Sequence, residues 1–472
     1  DIVQAKLFCL VKNIMIISFS SIGINKKTRN VFFTKKIMAS FIKSPSEILA
    51  KLGIEQLNPM QEEALSVIAQ NEGTILLSPT GTGKTVAFLM PLIASLSPEI
   101  EEIQALIIAP TRELAIQIEQ VLRDMGTGYK TNVVYGGRSG SQDRRDFETR
   151  PAILVGTPGR IADHLRRDAF DTSFINMLVL DEFDKSLEIG FESEMIEVLD
   201  ALPNLKKKVL TSATQEINVP AFVGLVKPAQ INYLHNAVPK LTVKQIIVGD
   251  DLLKGLADSL KAIGSKPGII FCNYKDTING ISDFLQARGI SHGLFYGGLE
   301  QKDRERALIK FRNGTHQLLL ATDLAARGID VPEIKFIIHY ELPHREQEFT
   351  HRNGRTARMN SEGTAYVLTR KNAEMPDYMP ELEVVQLTGG KELKPSEWCT
   401  LFITGGKKDK ISKGDIAGLF IKQAGLQPYE VGHIEIKLDC TFVSIHRSQL
   451  TVALSKTNNT RVKKKKIRVS EA

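Results

Sequence analysis

The stretch Thr74-Ile-Leu-Leu-Ser78-Pro-Thr80-Gly81-Thr82-Gly83-Lys84-Thr85 decides how the chain is read. A short apolar run ends in a glycine-rich turn, and the turn opens into a helical stretch. In that order of strand, loop and helix, successive backbone N–H groups turn inward and cradle phosphate oxygens at a helix N-terminus. Lys84 is then placed to reach the β- and γ-phosphates, and the Thr85 hydroxyl to sit on Mg²⁺. Ser78 stands where the general phosphate-loop pattern has glycine.

Around this loop, short apolar runs alternate with amphipathic stretches: Thr74–Leu77, Ala105–Ala109, Ile153–Val155, Met177–Leu180 and Lys208–Thr211. Strands alternating with helices predict a parallel sheet covered on both faces. Asp181-Glu182-Phe183-Asp184 follows one of these runs, so its acids emerge at the strand's C-terminal end. An acid there holds Mg²⁺ largely through water, and its neighbour orients the attacking water. A second alternating series follows, with Gly268–Cys272, Gln317–Ala321 and Phe336–His339 as strands.

The last part of the chain changes pattern. Trp398–Ile403, Ile434–Lys437, Thr441–His446 and Lys464–Val469 read as strands, and Lys413–Gln423 and Gln449–Ser455 as helices. That β-α-β-β-α-β order is a ferredoxin-like sandwich, the layout of an RRM. Trp398 and Phe442 are its aromatic candidates. Phe442 fits either base stacking or core packing.

Composition agrees with several domains. A chain of 472 residues is too long for one core. Four separated cysteines, Cys9, Cys272, Cys399 and Cys440, form no C-x-x-C pair, which argues against a zinc site or a disulfide framework. The net charge of +7 is unevenly spread. Residues 393–472 hold 15 Lys/Arg against 7 Asp/Glu, and residues 1–37 hold 7 against 1. A polyanion partner for the C-terminal segment is the economical reading, with Arg461–Arg468 either an RNA contact or a solvated basic tail.

Taken together in order, Ser78–Thr85 and Asp181–Asp184 resemble the first and second motifs of DEAD-box helicases. The resemblance implies ATP and Mg²⁺ as cofactors, with Lys84, Asp181, Glu182, Arg355 and Arg358 catalytic. Ser78, Thr80, Gly81, Thr82, Gly83, Lys84 and Thr85 would bind the nucleotide, Gln61 would read adenine, and Asp330 would approach the ribose. Thr85 and Asp181 would serve the metal. Asp184 would couple hydrolysis to strand separation through Ser212 and Thr214. Pro110, Thr111, Arg112, Gly137, Thr157, Gly159 and Arg160 resemble the family's RNA contacts in the first domain, and Thr322 and Arg327 those in the second. Gln301 and Arg304 match an element beside the RNA path or the interdomain cleft. The chain departs from the family at Ile54, Leu57, Phe183, Asn353 and Ala357.

The C-terminal segment, with Lys407, Lys408 and Lys410 after its first strand, resembles the RNA-binding domain of DbpA-like helicases. That resemblance implies a large-subunit ribosomal RNA target and a role in ribosome assembly. The fold class expected is α/β: two tandem RecA-like parallel-sheet domains followed by a small α+β RRM-like (ferredoxin-like) domain. Residues 1–37 read as a non-native or disordered leader before Met38, 38–234 as the ATP-binding domain and 241–370 as the second. Residues 235–240 and 371–392 read as linkers, and 393–472 as the RNA-binding domain. The whole reads as a cytoplasmic monomer, with no membrane partner, that unwinds short RNA duplexes. An ATP-gated RNA clamp or annealing factor is the alternative.

Overall fold

The computed structural model describes residues 43–137, 140–213, 219–234, 240–323, 334–357, 362–387, 389–390 and 392–472. Three sheets organise them. The first comprises β1 (Gly73–Leu77), β2 (Ala105–Ile108), β3 (Thr131–Val134), β4 (Ile153–Gly156), β5 (Met177–Leu180), β6 (Lys207–Ser212) and β7 (Ala229–Asn232). Their spatial order is β3-β4-β2-β5-β6-β1-β7, and every pairing is parallel. The central strands β2, β4 and β5 are buried along their whole length, as a sheet covered by helices on both faces requires. Alternate strand residues therefore feed two separate apolar cores, one on each face.

The second sheet repeats the plan. It holds β8 (Lys240–Val248), β9 (Gly268–Phe271), β10 (His292–Phe295), β11 (Leu318–Ala321), β12 (Phe336–His339), β13 (Glu362–Arg370) and β14 (Glu383–Val385), in the order β10-β11-β9-β12-β13-β8-β14. Two boundaries differ from the sequence reading. Lys240 already belongs to β8, and the supposed linker 371–392 contributes β14, paired with β8 through Glu383–Lys244, Val384–Gln245 and Val385–Ile246. Leu387 and Leu393 also pack on the second domain's core. A three-residue edge strand leaves too little pattern to read.

The C-terminal sheet contains β15 (Trp398–Ile403), β16 (Val431–Ile436), β17 (Thr441–His446) and β20 (Val469–Glu471), ordered β16-β17-β15-β20. The last expected strand is broken. Arg461–Val462 (β18) and Lys465–Lys466 (β19) form a small hairpin, and only Val469–Glu471 joins the sheet, against β15. Cys399, Leu401, Ile403, Val443 and Ile445 face the helices and form the core. With a period of two, Thr400, Phe402, Phe442 and Ser444 face the other way.

That outer face meets the second domain. The Thr400 hydroxyl lies 2.7 Å from that of Thr315 and accepts from the Asn313 amide at 3.2 Å, while the Ser444 hydroxyl donates to the Asn313 carbonyl at 2.9 Å. Arg312 pairs with Glu435 at 3.0 Å. The Trp398 ring lies over Gly314, where an added Cβ would be 3.6 Å from it. Among the described residues, no helix is long and apolar enough to cross a membrane.

Candidate active site

The phosphate loop leaves the carboxyl end of β1, which lies between β6 and β7. The helix Lys84–Ser95 begins directly after it, at Gly83, with no side-chain cap. Its first N–H groups are thus open to an anion, the arrangement helix termini offer phosphates. Gly81 and Gly83 adopt φ of 81° and 89°, a backbone that favours glycine. The Thr82 hydroxyl lies 2.7 Å from that of Ser78 and donates to the Pro79 carbonyl at 2.9 Å. Ser78 thus replaces the pattern's glycine by tying the loop to itself.

Lys84 folds over the loop and donates to the carbonyls of Ser78 and, at 2.8 Å, Pro79. Burial pushes its ammonium down to about 8, opposed by the charges of Asp181 and Glu182. A bound polyphosphate would remove that penalty by pairing the charge. Gln61 is nearly buried as the third residue of the capping box of helix Pro59–Gln70, its Oε1 accepting from the Asn58 N–H at 3.0 Å. Its Nε2 donates to the Gly83 carbonyl at 3.2 Å, so this amide also braces the loop.

The acids follow β5. Asp181 is buried, and burial first, then the neighbouring Glu182, lifts its carboxyl to about 6. The Thr211 hydroxyl of β6 donates to Asp181 and accepts from the Glu182 N–H at 3.1 Å. Thr211 was not singled out in the sequence, where it is one polar residue at the end of a strand. Glu182 holds a left-handed φ of 47°. The Phe183 ring turns away from this cluster into the apolar core with Leu180, Leu210 and Val223. The bulkier residue is therefore accommodated in the core, while the largely buried Asp184 side chain faces His351 of the second domain. Ser212 is buried, and its carbonyl accepts from the Ser78 N–H at 3.1 Å. Thr214 lies outside the described residues.

The second domain reaches this site. The Thr80 hydroxyl donates to the Gly354 carbonyl at 2.9 Å, and an added Cβ at Gly354 would be 2.4 Å from that hydroxyl oxygen. His351 Nε2 stands 4.0 Å from an Asp184 oxygen. Arg355 is buried, close enough to Lys84 that the two positive charges repel. Arg358, Arg327 and Asp330 lie outside the described residues. Behind Arg355, Arg352 is fully buried. Its guanidinium makes two 2.6 Å bonds to Asp323, with further bonds to the Glu341 carbonyl at 2.6 Å and the Asn273 side chain at 2.7 Å. This fork fixes the turn that carries Arg355. Neither Arg352 nor Asp323 stood out in the sequence, because a partner nearly thirty residues away leaves no local signal.

Among the expected RNA contacts, several are engaged within the protein. Arg304 pairs with Glu113 of the first domain at 2.8 Å, both side chains largely buried, and its guanidinium lies 5.1 Å from the Phe295 ring. Of the two places left open for it, the structure puts Arg304 in the interdomain cleft. Gln301 begins the same helix, Gln301–Arg312. Thr111 caps helix Arg112–Met125, accepting from the Leu114 N–H at 3.2 Å. Pro110 beside it is buried, and Thr322, where β11 ends, is partly buried. Arg112 lies against Gly136 and Gly137, where an added Cβ at Gly137 would be 3.0 Å from the guanidinium. Thr157 precedes helix Pro158–Leu165, which carries Gly159 and Arg160. Arg160 bonds to buried Asp143 at 2.6 Å and to Asp163 at 2.9 Å. Lys407, Lys408 and Lys410 are exposed on the C-terminal domain.

Two parallel sheets of matching order, with one phosphate loop that the second domain also contacts through Gly354, define a two-domain nucleoside-triphosphate-dependent enzyme. Comparison with known proteins agrees. Residues 58–222 match the model of the DEAD/DEAH box helicase family, 251–360 the helicase conserved C-terminal domain and 400–471 the DbpA RNA binding domain. The chain is 34% identical over 321 residues to the ATP-dependent RNA helicase eIF4A of Mycosarcoma maydis, covering 66% of this chain and 78% of that protein. It is 29% identical over 436 residues to the ATP-dependent RNA helicase DbpA of Escherichia coli, covering 89% and 95%. Among solved structures, S. cerevisiae Dbp5 bound to RNA and ADP BeF3 aligns with a TM-score of 0.62 at 26% identity, covering 71% of this chain and 90% of that one. The chain belongs to the DEAD/DEAH box helicase family and is an ATP-dependent RNA helicase of the DbpA type.

Proposed function

We propose that this helicase separates short RNA duplexes by closing its two RecA-like domains on ATP and RNA together, and that its C-terminal domain directs it to large-subunit ribosomal RNA during ribosome assembly. The observation that carries the first part is the split site. Lys84, Asp181 and Glu182 belong to the first domain, whereas Gly354 and Arg355 approach from the second. ATP and RNA each stabilise the closed form that the other prefers, so binding of one strengthens binding of the other. Arg355 then offsets charge on the γ-phosphate as the terminal bond breaks. Contacts to phosphate and sugar give the core little sequence preference.

The site fits Mg²⁺. Asp181 is a buried carboxyl beside Glu182, and among the described residues no cluster of three His, Cys, Asp or Glu could hold a metal by itself. That donor poverty suits an ion kept by Asp181, Thr85, nucleotide phosphates and water. Mg²⁺ when bound neutralises charge on the β- and γ-phosphates. The exposed Lys407, Lys408 and Lys410 and the basic excess of residues 393–472 support a ribosomal RNA partner, and the chain is read as a cytoplasmic monomer. Phe183 gives the clamp alternative no particular support, since its ring lies in the core.

The test is RNA-stimulated ATPase, comparing the full chain with a version ending at Lys394, so that β14 and Leu393 are kept. Large-subunit ribosomal RNA should stimulate the full chain at low concentration, and the shortened one only as unrelated RNA of equal length does. Equal stimulation of both proteins by both RNAs would remove the ribosomal target and leave the helicase core.

A further inference from the structure

Four rings line up through the second domain, next to the turn that carries Arg355. Phe271, at the end of β9, is fully buried, and the Arg352 guanidinium lies 5.2 Å from its ring. His339, at the end of β12, stacks on Phe271 with centroids 6.3 Å apart and on Phe349 at 4.6 Å. Phe349 belongs to helix Glu346–Asn353, which runs directly into Gly354 and Arg355. The fourth ring, Tyr378, lies 6.1 Å from Phe349 and comes from the stretch 371–392, which the sequence reading made a linker. Its hydroxyl donates to the Pro343 carbonyl at 2.5 Å, in the loop that joins β12 to that helix. Burial raises the Tyr378 phenol, opposed by the nearby Arg352 charge, so the hydroxyl keeps the proton it donates. Two more bonds hold the same loop. The Asn273 amide donates to the Leu342 carbonyl at 2.9 Å, and the Glu341 carbonyl accepts from Arg352 at 2.6 Å.

We propose that Tyr378 is a positioning residue for ATP hydrolysis: it clamps helix Glu346–Asn353 to its leading loop, and so aims the turn that presents Arg355 to the phosphate loop. The helix has eight residues and no side-chain cap at its start. A helix so short takes its orientation from what packs on it. The Arg352 fork secures its C-terminal end, and the ring column secures its face, with Tyr378 as the outermost member. Tyr378 alone in the column also ties the loop before the helix, ring on one and hydroxyl on the other. Charge stabilisation at a breaking phosphate bond falls steeply with misplacement, and a shift of about 1 Å far from the chemistry can cost on the order of a hundredfold. A tilt of this helix therefore reaches the rate before it reaches nucleotide binding, which the first domain's loop supplies. The inference rests on the role proposed above for Arg355.

The experiment uses the full chain, with RNA-stimulated ATP hydrolysis followed at steady state and in single turnover, and nucleotide affinity titrated with mant-ATP in the absence of RNA. Tyr378→Leu removes both the ring and the hydroxyl. It should lower kcat roughly five- to fifty-fold and leave mant-ATP affinity unchanged. Tyr378→Phe keeps the ring and should recover most of that loss, falling short by only about threefold for the missing hydrogen bond. The decisive arm is the double variant. Once Arg355→Gln has removed the guanidinium, adding Tyr378→Leu should slow single-turnover hydrolysis no further, because the two act as a unit. Thermal melts establish that each variant folds, and if Tyr378→Leu does not, Tyr378→Phe is carried through the same cycle. An unchanged kcat in Tyr378→Leu, a loss confined to nucleotide affinity, or a loss of equal size with and without Arg355 would each overturn the proposal. Full kcat in Arg355→Gln alone would remove the arginine's role and this proposal with it, so the two failures are told apart by which single variant shows them.

Discussion

Ala357 holds a left-handed backbone, φ 53°, at a position where the related motif commonly has glycine. An L-side chain there costs about 1–2 kcal/mol, and the corner is tight: an added Cβ at Gly363 would be 2.7 Å from the Ala357 nitrogen. Ala357→Gly relieves the strain and loosens the unfolded chain, two effects of opposite sign. A net gain of up to about 1 kcal/mol is expected in denaturant titration, and a loss would show that the turn is not strained. Asn353, the other departure in this motif, accepts through its Oδ1 from Nε2–H of the buried His339 ring at 2.9 Å. Burial, with the nearby Arg352 charge, pushes His339 down to about 3. Its folded pKa is below its unfolded value, so the fold keeps the ring neutral while the unfolded chain takes up a proton. The resulting stability is complete above the unfolded value of 6.5 and is lost as pH falls from there toward 3. His339→Gln, which keeps an amide partner for Asn353, should flatten the fall in stability between these limits by up to about 1.4 kcal/mol per pH unit. An identical acid slope in both proteins would contradict this assignment.

Helix Gln301–Arg312 joins three parts of the molecule. Arg304 reaches Glu113 in the first domain, Arg306 approaches the C-terminal domain, and Arg312 at its end pairs with Glu435 there. The Arg304–Glu113 pair is largely buried, so removing either partner leaves an uncompensated charge. Glu113→Gln and Arg304→Gln should each lower RNA-stimulated ATPase, and the double variant should be less impaired than the sum, by about 0.5–3 kcal/mol of coupling. Strict additivity would place the two side chains outside one interaction. The seam beyond it has a built-in reporter, since Trp398 is the sole tryptophan and lies against Gly314. Thr400→Arg should part the seam and shift tryptophan emission to the red, whereas unchanged emission would mean the contact is not kept in solution. Elements of this kind bear on legibility. The buried strands Ala105–Ile108 and Met177–Leu180 were plain in the sequence because parallel strands covered on both faces are unbroken apolar runs. The short edge strands β3, β7, β10 and β14 were not, because mixed or three-residue segments carry too little pattern. The phosphate loop and the acids were legible because their chemistry is local. Thr211, Glu113 and the Arg352–Asp323 fork were not, because their meaning lies in partners far along the chain. Alternation puts Trp398 and Phe402 on one face of β15 but does not say which of them a neighbouring domain covers.

At the scale of the whole molecule, the phosphate loop and its acids belong to one domain, Arg355 approaches them from a second, and a third, matching the DbpA RNA binding domain, is docked on the second. Under the proposed mechanism, such a division makes hydrolysis conditional on closure, and closure conditional on both ligands. The direct measurement is displacement of a short labelled RNA duplex, with a single-stranded large-subunit ribosomal RNA extension, by the full chain under ATP, ADP or no nucleotide. Displacement is expected with ATP alone, and Arg355→Gln should lose it while retaining ATP binding. RNA held under ATP without strand separation, or separation indifferent to nucleotide, would contradict it.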